Sequence, residues 1–467
     1  MPAPIRALLV VLAITAAFFA GAFYFGYRNT SGPSADRSDW GQLASLHISL
    51  PGEASEDDQL LRLALHQLER TYYKPVDPQT LISGERTGLL LYLKDTLKKK
   101  AVKPTLPALS ASTETQALNA LGTELAYARS HYAPLGVAPN DLTQAALKGM
   151  ARSLGDPYTE YLTPREIGAL NEELNGGDFG GIGVFIVSKD NQIILQPIPD
   201  LPASRAGMHD VEVVESIDGQ SVRGFTLDRA ERMIRGPEGT QVTLKTHPYK
   251  GTVSHTYRVT REIIHVPTVR QKMEDGYDYI RLSDFGQTSA AEIHKALLQG
   301  KAQHAKGYIL DLRFNGGGLL DAAVNISSYF VPQGTIVTEI DRDGVSDTKL
   351  ATGAYVAGLR PLVVLVNAYT ASASEITAGA LHDYHVATLV GERTFGKGVV
   401  QGIYTMPNGG ALKITTERYV TPSGRDIQHK GISPDVTVSQ KLDVNLVDTP
   451  GDKQLQAAKT LLHRQSP

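Results

Sequence analysis

The apolar positions of this chain follow different periods in different stretches. From residue 361 an unbroken apolar run, Pro361-Leu-Val-Val-Leu-Val366, has the length of a buried strand. A turn rich in small residues follows, Ala368 to Ser372. Between Ser374 and Tyr384 the period is helical, with Ile376, Ala380 and Leu381 on one face. Val386 to Val390 predicts another strand, and it runs into a loop where Lys397 stands between Gly396 and Gly398, with Gln401 four residues on. Upstream, Tyr277–Leu282 and Gly307–Leu312 predict strands, with a helix over Ala290–Leu298 between them. Alternating strands and helices across 266–440 indicate an α/β layered core. Residues 178–265 alternate apolar positions with glycine turns, a β-rich pattern that also holds one helix, Leu227–Ile234.

Residues 59–154 read as helical and carry an internal repeat. Tyr73-Lys-Pro-Val-Asp-Pro-Gln-Thr-Leu81 parallels Tyr132-Ala-Pro-Leu-Gly-Val-Ala-Pro-Asn-Asp-Leu142. Downstream, Leu81, Gly88 and Leu93 match Leu142, Gly149 and Leu154 at one constant offset (149 − 88 = 61). Each copy reads as helix, proline turn, helix, and two copies are too few for a solenoid. The run Lys98 to Lys100 reads as a solvated face. At the N-terminus, Arg6 precedes an uncharged stretch from Ala7 to Tyr27, long enough to span a bilayer as a helix. Apolar residues continue through Phe25, which favours an uncleaved anchor; cleavage at Ala20-Gly21-Ala22 is the alternative. Positive charge at Arg6 puts the N-terminus inside and the body outside the cytoplasm, in the cell envelope. The expected organisation is therefore a membrane segment (1–30), a linker (31–58), a helical region (59–170), a β-rich domain (171–265), a core (266–440) and a tail (441–467).

The chain has 467 residues, enough for two to four domains. Its net charge of −3 carries no nucleic-acid footprint. The absence of cysteine excludes disulfides, thiol catalysis and cysteine-bound zinc. No His-Glu-x-x-His or paired-histidine pattern occurs, so neither a metal nor a cofactor is expected.

The chemistry concentrates in 361–401. A helix of about a dozen residues climbs roughly 18 Å, and a strand of about six residues returns roughly 20 Å. The loop carrying Lys397 therefore returns beside the turn carrying Ser372. Ser372 would stand at a helix N-terminus, where unpaired backbone N–H groups favour negative charge. Serine needs a base, and lysine serves only when burial keeps it neutral. His382, Asp383 and His385 do not complete a triad, because His382 would lie roughly 15 Å along the helix from Ser372. Asp311-Leu-Arg-Phe-Asn-Gly-Gly-Gly318 is a glycine-rich loop at a strand end whose N–H groups could hold an oxyanion; no Lys-Ser/Thr follows it, which argues against a nucleotide P-loop. Gly180-Gly-Ile-Gly-Val-Phe185 lacks the spacing of a dinucleotide loop but could cradle a peptide carboxylate.

Taken whole, Thr370-Ala-Ser-Ala-Ser-Glu-Ile376 followed by Thr394-Phe-Gly-Lys-Gly-Val-Val-Gln401 closely resembles the signature of the C-terminal processing peptidases, or tail-specific proteases. Leu154-Gly-Asp-Pro-Tyr-Thr-Glu-Tyr-Leu162 resembles the segment before that family's PDZ domain. Pro202-Ala-Ser-Arg-Ala-Gly207 and Val214-Glu-Ser-Ile-Asp-Gly219 resemble the PDZ domain itself, and Tyr419–Arg425 and Gly431–Asp435 the closing motifs. The likeness spans about residues 125 to 440. Gly316 departs from it, standing where the family usually has proline. The resemblance implies an α+β multidomain protein with a PDZ domain and a ClpP/crotonase-like core. It implies a serine endopeptidase in which Ser372 is the nucleophile, Lys397 the general base and Gln401 the residue that orients the lysine. The oxyanion hole would be Gly317 or Gly318 with Ala373. Gly181, Ile182, Gly183 and Val184 would bind the C-terminus of a protein or peptide substrate with an apolar end. A catalytically silent PDZ scaffold in the envelope is the alternative. An adaptor on the helical region and a homo-oligomer are left open.

Overall fold

The computed structural model describes residues 26–27, 56–107, 114–174, 179–189 and 191–465. The expected membrane segment lies outside these residues except for Gly26–Tyr27 (β1), and most of the expected linker lies outside them too. No helix among the described residues is long and apolar enough to cross a membrane.

Two helical hairpins form the N-terminal region. The helix Glu56–Thr71 buries Leu60, Leu61, Ala64, Leu65 and Leu68, and its first turn carries Glu56, Asp57 and Asp58, which suit the positive end of the helix dipole. The chain turns at Pro75 and re-enters a helix, Pro78–Leu97, with the Asp77 side chain accepting the Gln79 N–H at 3.0 Å and proline in the first turn. Glu114–Tyr132 and Pro139–Arg152 repeat the arrangement. The residues matched at the 61-residue offset meet in space. A Cβ on Gly88 would lie 2.8 Å from the Gly149 Cα, and a Cβ on Gly149 would lie 2.2 Å from the Gly84 carbonyl oxygen. The second helices of the two copies thus cross backbone against backbone, which only glycine permits. Glu160–Leu162 (β2) then leads away from this region.

The β-rich stretch comprises Phe179–Gly181 (β3), Val184–Lys189 (β4), Gln192–Pro197 (β5), Glu212–Ile217 (β6), Gln220–Ser221 (β7), Gln241–Pro248 (β8), His255–Thr260 (β9) and Glu262–Ile264 (β10). Its sheet runs β4-β5-β6-β8-β9, so β4 is an edge, while β3 pairs with β10. The helix Leu227–Ile234 appears at the expected residues and packs Ala230 and Ile234 against Ile193, Leu195 and Val214.

The core contains Val269–Glu274 (β11), Tyr277–Leu282 (β12), Tyr308–Asp311 (β13), Thr335–Ile340 (β14), Val345–Leu350 (β15), Leu362–Val366 (β16), Thr388–Gly391 (β17), Val399–Thr405 (β18), Ala411–Val420 (β19) and Val436–Thr437 (β20). One sheet runs β11-β12-β13-β16-β17-β20, parallel from β12 onward. Both faces are covered, as parallel strands require. Ile280, Leu310, Val364 and Val366 pack toward the helices Leu320–Ser328 and Ala373–Asp383. Tyr279, Ile309, Val363 and Leu365 point the other way, onto Leu455, Ala458 and Leu462 of the helix Lys453–Gln465. The stretch expected as a tail therefore contains the outer layer of the core. A second sheet, β18-β19-β14-β15, takes β2 alongside β19 and Gly26–Tyr27 in parallel beside Val400 and Gln401.

A buried charge cluster joins that outer helix to the glycine-rich loop. Arg313, 1% exposed, donates from Nε and a terminal nitrogen to Asp311 at 2.9 and 2.6 Å, and from both terminal nitrogens to Asp452 at 2.7 and 2.8 Å. Burial opposes charge on Asp311, but Arg313 outweighs it and holds the carboxyl below its usual range. The stabilisation is complete above the unfolded carboxyl pKa of about 4 and is lost as pH falls through the lowered folded value. Arg313→Met leaves two buried carboxylates without their cation. It should reduce stability by about 3–5 kcal/mol, read from the urea midpoint. An unchanged midpoint would show that the cluster is not structural.

Candidate active site

Ser372 closes the turn between β16 and the helix Ala373–Asp383. Its backbone lies at φ 55°, ψ −118°, a region that side chains avoid at a cost of about 1–3 kcal/mol. Several bonds hold it there. The Asn367 N–H reaches the Thr370 hydroxyl at 2.9 Å, and that hydroxyl donates to the Leu312 carbonyl at 2.8 Å. The Ala371 N–H and the Ser374 hydroxyl both bond the Asn315 carbonyl, at 3.1 and 3.0 Å. The turn is thereby sewn to the glycine-rich loop after β13. A strained strand-to-helix turn of this kind lifts the side chain it carries out of the helix line.

Lys397 is 2% exposed and donates from Nζ to Gln401 Oε1 at 2.9 Å, with Nζ 4.9 Å from the centre of the Tyr158 ring. Ser372 and Lys397 share two partners. Glu375 accepts the Ser372 N–H at 3.0 Å and the Lys397 N–H at 2.8 Å on one oxygen, and the Gly396 N–H at 2.7 Å and the Thr394 hydroxyl at 2.5 Å on the other. The Tyr419 hydroxyl lies 3.0 Å from the Ser372 carbonyl and 2.5 Å from the Lys397 carbonyl. The expectation that the two loops return together is met, and these contacts are how.

Burial lowers the Lys397 pKa well below its ordinary value, and the neighbouring Lys413 charge lowers it further. Asp156 and Glu375 oppose this. Glu375 was not singled out in the sequence, although Ser372-x-x-Glu375 is a capping-box spacing that signals it. Its burial pushes the carboxyl above its ordinary value, and its four donors offset that only in part. Because those donors occupy both oxygens, the carboxylate serves the backbone rather than the lysine amine.

The glycine loop divides the expected oxyanion donors. The Gly317 N–H is taken by the Asn315 side chain at 2.9 Å, which corrects its assignment as a donor. Gly317 matters for its closeness instead: a Cβ there would lie 2.8 Å from the Ser372 Cβ. The N–H groups of Gly318 and Ala373 have no acceptor among the described residues. His382 bonds Asp435 at 3.2 Å at the far end of the helix, away from Ser372 as expected. Among the described residues no His, Asp and Glu group could hold a metal.

The expected carboxylate cradle lies apart, between β3 and β4. Its Ile182 side chain is buried in that domain's core. The Ile182 and Gly183 carbonyls accept the Ala203 and Ile198 N–H groups at 2.8 and 3.0 Å.

Comparison with known proteins shows the family of the chain. Residues 276–438 match the model of peptidase family S41. The carboxyl-terminal-processing protease of Synechocystis sp. is 38% identical over 343 residues, covering 72% of this chain and 80% of that protein. The carboxy-terminal-processing protease of Bartonella bacilliformis is 38% identical over 315 residues, covering 65% of this chain and 71% of that protein. The solved photosystem II D1 C-terminal processing protease is similar at 27% identity, covering 86% of this chain and 100% of that one, with a TM-score of 0.47. The protein is a serine-type peptidase. It belongs to the carboxyl-terminal-processing protease family within peptidase family S41.

The charge balance at Lys397 can be tested through Lys413. Lys413→Met removes a cation that disfavours protonation of Lys397, so the lysine pKa should rise. The rising limb of the kcat/KM profile should then move to higher pH. A limb that stays in place or moves to lower pH would contradict this account.

Proposed function

We propose that the chain cleaves proteins near their C-termini with Ser372 as nucleophile and Lys397 as general base. The observation that carries this is the buried Lys397 amine, its pKa lowered by burial and its Nζ bonded to Gln401, on a loop tied to Ser372 through Glu375 and Tyr419. Ser372 Oγ attacks the scissile carbonyl carbon as its proton passes to Lys397 Nζ. The carbonyl π electrons move to oxygen, where the N–H groups of Gly318 and Ala373 stabilise the charge. The tetrahedral intermediate collapses, the C–N bond breaks, and Lys397 returns the proton to the leaving amine. Water then attacks the acyl-enzyme, giving a proton to Lys397; the bond from the acyl carbon to Ser372 Oγ breaks, and Lys397 returns that proton to Oγ, freeing the acid product and restoring the serine and the neutral amine.

The β-rich domain fits a PDZ domain that captures the substrate's end. β4 is an unpaired sheet edge beside the helix Leu227–Ile234, the geometry for adding a strand, and Gly181–Val184 begin that edge with backbone N–H groups suited to a carboxylate. Val184 and Ile186 on β4 are half-buried on the face toward that helix, so an apolar terminal residue finds apolar surface there. The apolar stretch Ala7–Phe25, which ends before β1, supports anchoring at a membrane, with the peptidase on the envelope side. A silent scaffold is disfavoured, since Ser372, Lys397 and Gln401 are all present and buried together.

Ser372→Ala and Lys397→Ala should each abolish peptide hydrolysis with the fold intact. Lys397→Arg should fail as well, because guanidinium stays protonated. An active Lys397→Arg enzyme, measured on a fluorogenic peptide, would overturn the dyad.

The terminal carboxylate gives a separate test. A substrate amidated at its C-terminus should be cleaved more slowly than its free acid at the same bond, through a higher KM. Equal kinetics would remove the β-rich domain from tail selection.

A further inference from the structure

The segment Gly155-Asp-Pro-Tyr158 has no role in the mechanism above, yet its Asp156 ends a chain of hydrogen bonds that begins at the base. Asp156 Oδ1 accepts the Tyr158 N–H at 3.0 Å. Its Oδ2 accepts the Thr159 hydroxyl at 2.7 Å and the Thr415 hydroxyl at 2.6 Å. The same Thr415 oxygen lies 3.4 Å from Gln401 Nε2, and Gln401 Oε1 receives Lys397 Nζ at 2.9 Å. A register shift between β18 and β19 allows this alignment: Val400 pairs with Glu417 but Gln401 pairs with Thr415, so the extra residue, Thr416, falls between them. Residues directly opposite in a sheet share a face.

The direction of these bonds is dictated by chemistry. The two ends of a glutamine amide have nearly the same shape, so packing alone does not decide which one faces the lysine. A carboxylate only accepts. Asp156 therefore takes the single Thr415 proton, and the Thr415 oxygen can offer only lone pairs toward Gln401. The NH2 end of the amide must turn to Thr415, which leaves the carbonyl oxygen for the amine. A neutral amine that donates one N–H to this oxygen keeps its lone pair directed elsewhere, as a base requires. The reversed amide would present N–H groups to that lone pair. We infer that Asp156, acting through the Thr415 hydroxyl, sets the orientation of the Gln401 amide, and that both are positioning residues for the Lys397 base. The inference rests on the Ser372–Lys397 reading.

Thr415 is itself held from the N-terminal region. Its N–H donates to the Thr159 hydroxyl at 3.0 Å, and its carbonyl accepts the Tyr73 N–H at 3.0 Å. The groups acting on the lysine charge are Lys413, which disfavours protonation, and Asp156 and Glu375, which favour it, with the Tyr158 ring alongside.

The test measures kcat, KM and the pH profile of peptide hydrolysis for the full-length chain and five variants: Asp156→Ala, Thr415→Val, Thr415→Ser, Asp156→Ala/Thr415→Val and Gln401→Ala. Asp156→Ala and Thr415→Val should each lower kcat by about 10- to 100-fold, part of what a general base supplies. KM should stay within about threefold, as for a loss felt only in the transition state. Thr415→Ser keeps the hydroxyl and should recover most of kcat. The double variant should be no slower than the slower single variant, because both act through one chain. In Asp156→Ala the rising limb should also move to lower pH, since a charge that favours the ammonium is gone. Should Asp156→Ala fail to fold, the Thr415 pair still decides. Wild-type kcat in Thr415→Val, or losses that multiply in the double variant, would overturn the relay while a slow Gln401→Ala leaves the dyad standing. Full activity in Gln401→Ala would overturn the inference at its first link, while the Lys397 variants still decide the dyad.

Discussion

The site depends on one buried carboxylate. Glu375 sits in the first turn of the helix that Ser372 opens, and it collects three backbone N–H groups and one hydroxyl from two separate loops. Buried amides without acceptors cost roughly as much as a lost hydrogen bond each, so neither loop could be buried in this shape alone. One side chain thus satisfies both loops and fixes their separation. It also restores the strained turn to a favourable balance, since the bonds at Ser372 offset the cost of its backbone angles. Glutamine at this position would keep the length but place an N–H donor against donors.

The same carboxylate would be a poor neighbour for a neutral lysine if it faced the amine. Its oxygens are instead saturated by main-chain donors, and the Lys397 amine is turned to Gln401 under an aromatic ring. Burial supplies the main push toward the neutral form, and Lys413 adds to it. This uses a general property of lysine: it is readily neutralised by burial, whereas arginine is not. No metal or cofactor enters the chemistry described.

Much of the site was legible because it is local. Ser372, Lys397 and Gln401 lie within thirty residues, and the strand, helix and strand between them have lengths that nearly cancel. The helix Leu227–Ile234 and the strands Tyr277–Leu282 and Leu362–Val366 carry their period in the residues themselves. What was missed is long-range or conformational. The Asp156–Thr415 contact joins residues 259 apart, and no local pattern announces it. The positive φ of Ser372 is unexpected for serine. The Gly317 N–H looked available until the Asn315 side chain was seen to fold back on it. Leu455, Ala458 and Leu462 do show a helical spacing, but a polar composition hid it and the segment read as a tail.

The helix that forms the outer layer has a consequence for the order of events as the chain is made. Arg313 lies in the glycine-rich loop, and its second carboxylate, Asp452, is synthesised 139 residues later. Before then the guanidinium has only Asp311 as an ionic partner, and Ile309, Val363 and Leu365 lack their cover. Ser372, Lys397 and the glycine-rich loop are all made earlier than the residues that complete this support. A nascent chain therefore carries the full catalytic set before it carries the frame that holds it. The outer layer behind the peptidase centre is thus the last part of its support to be made.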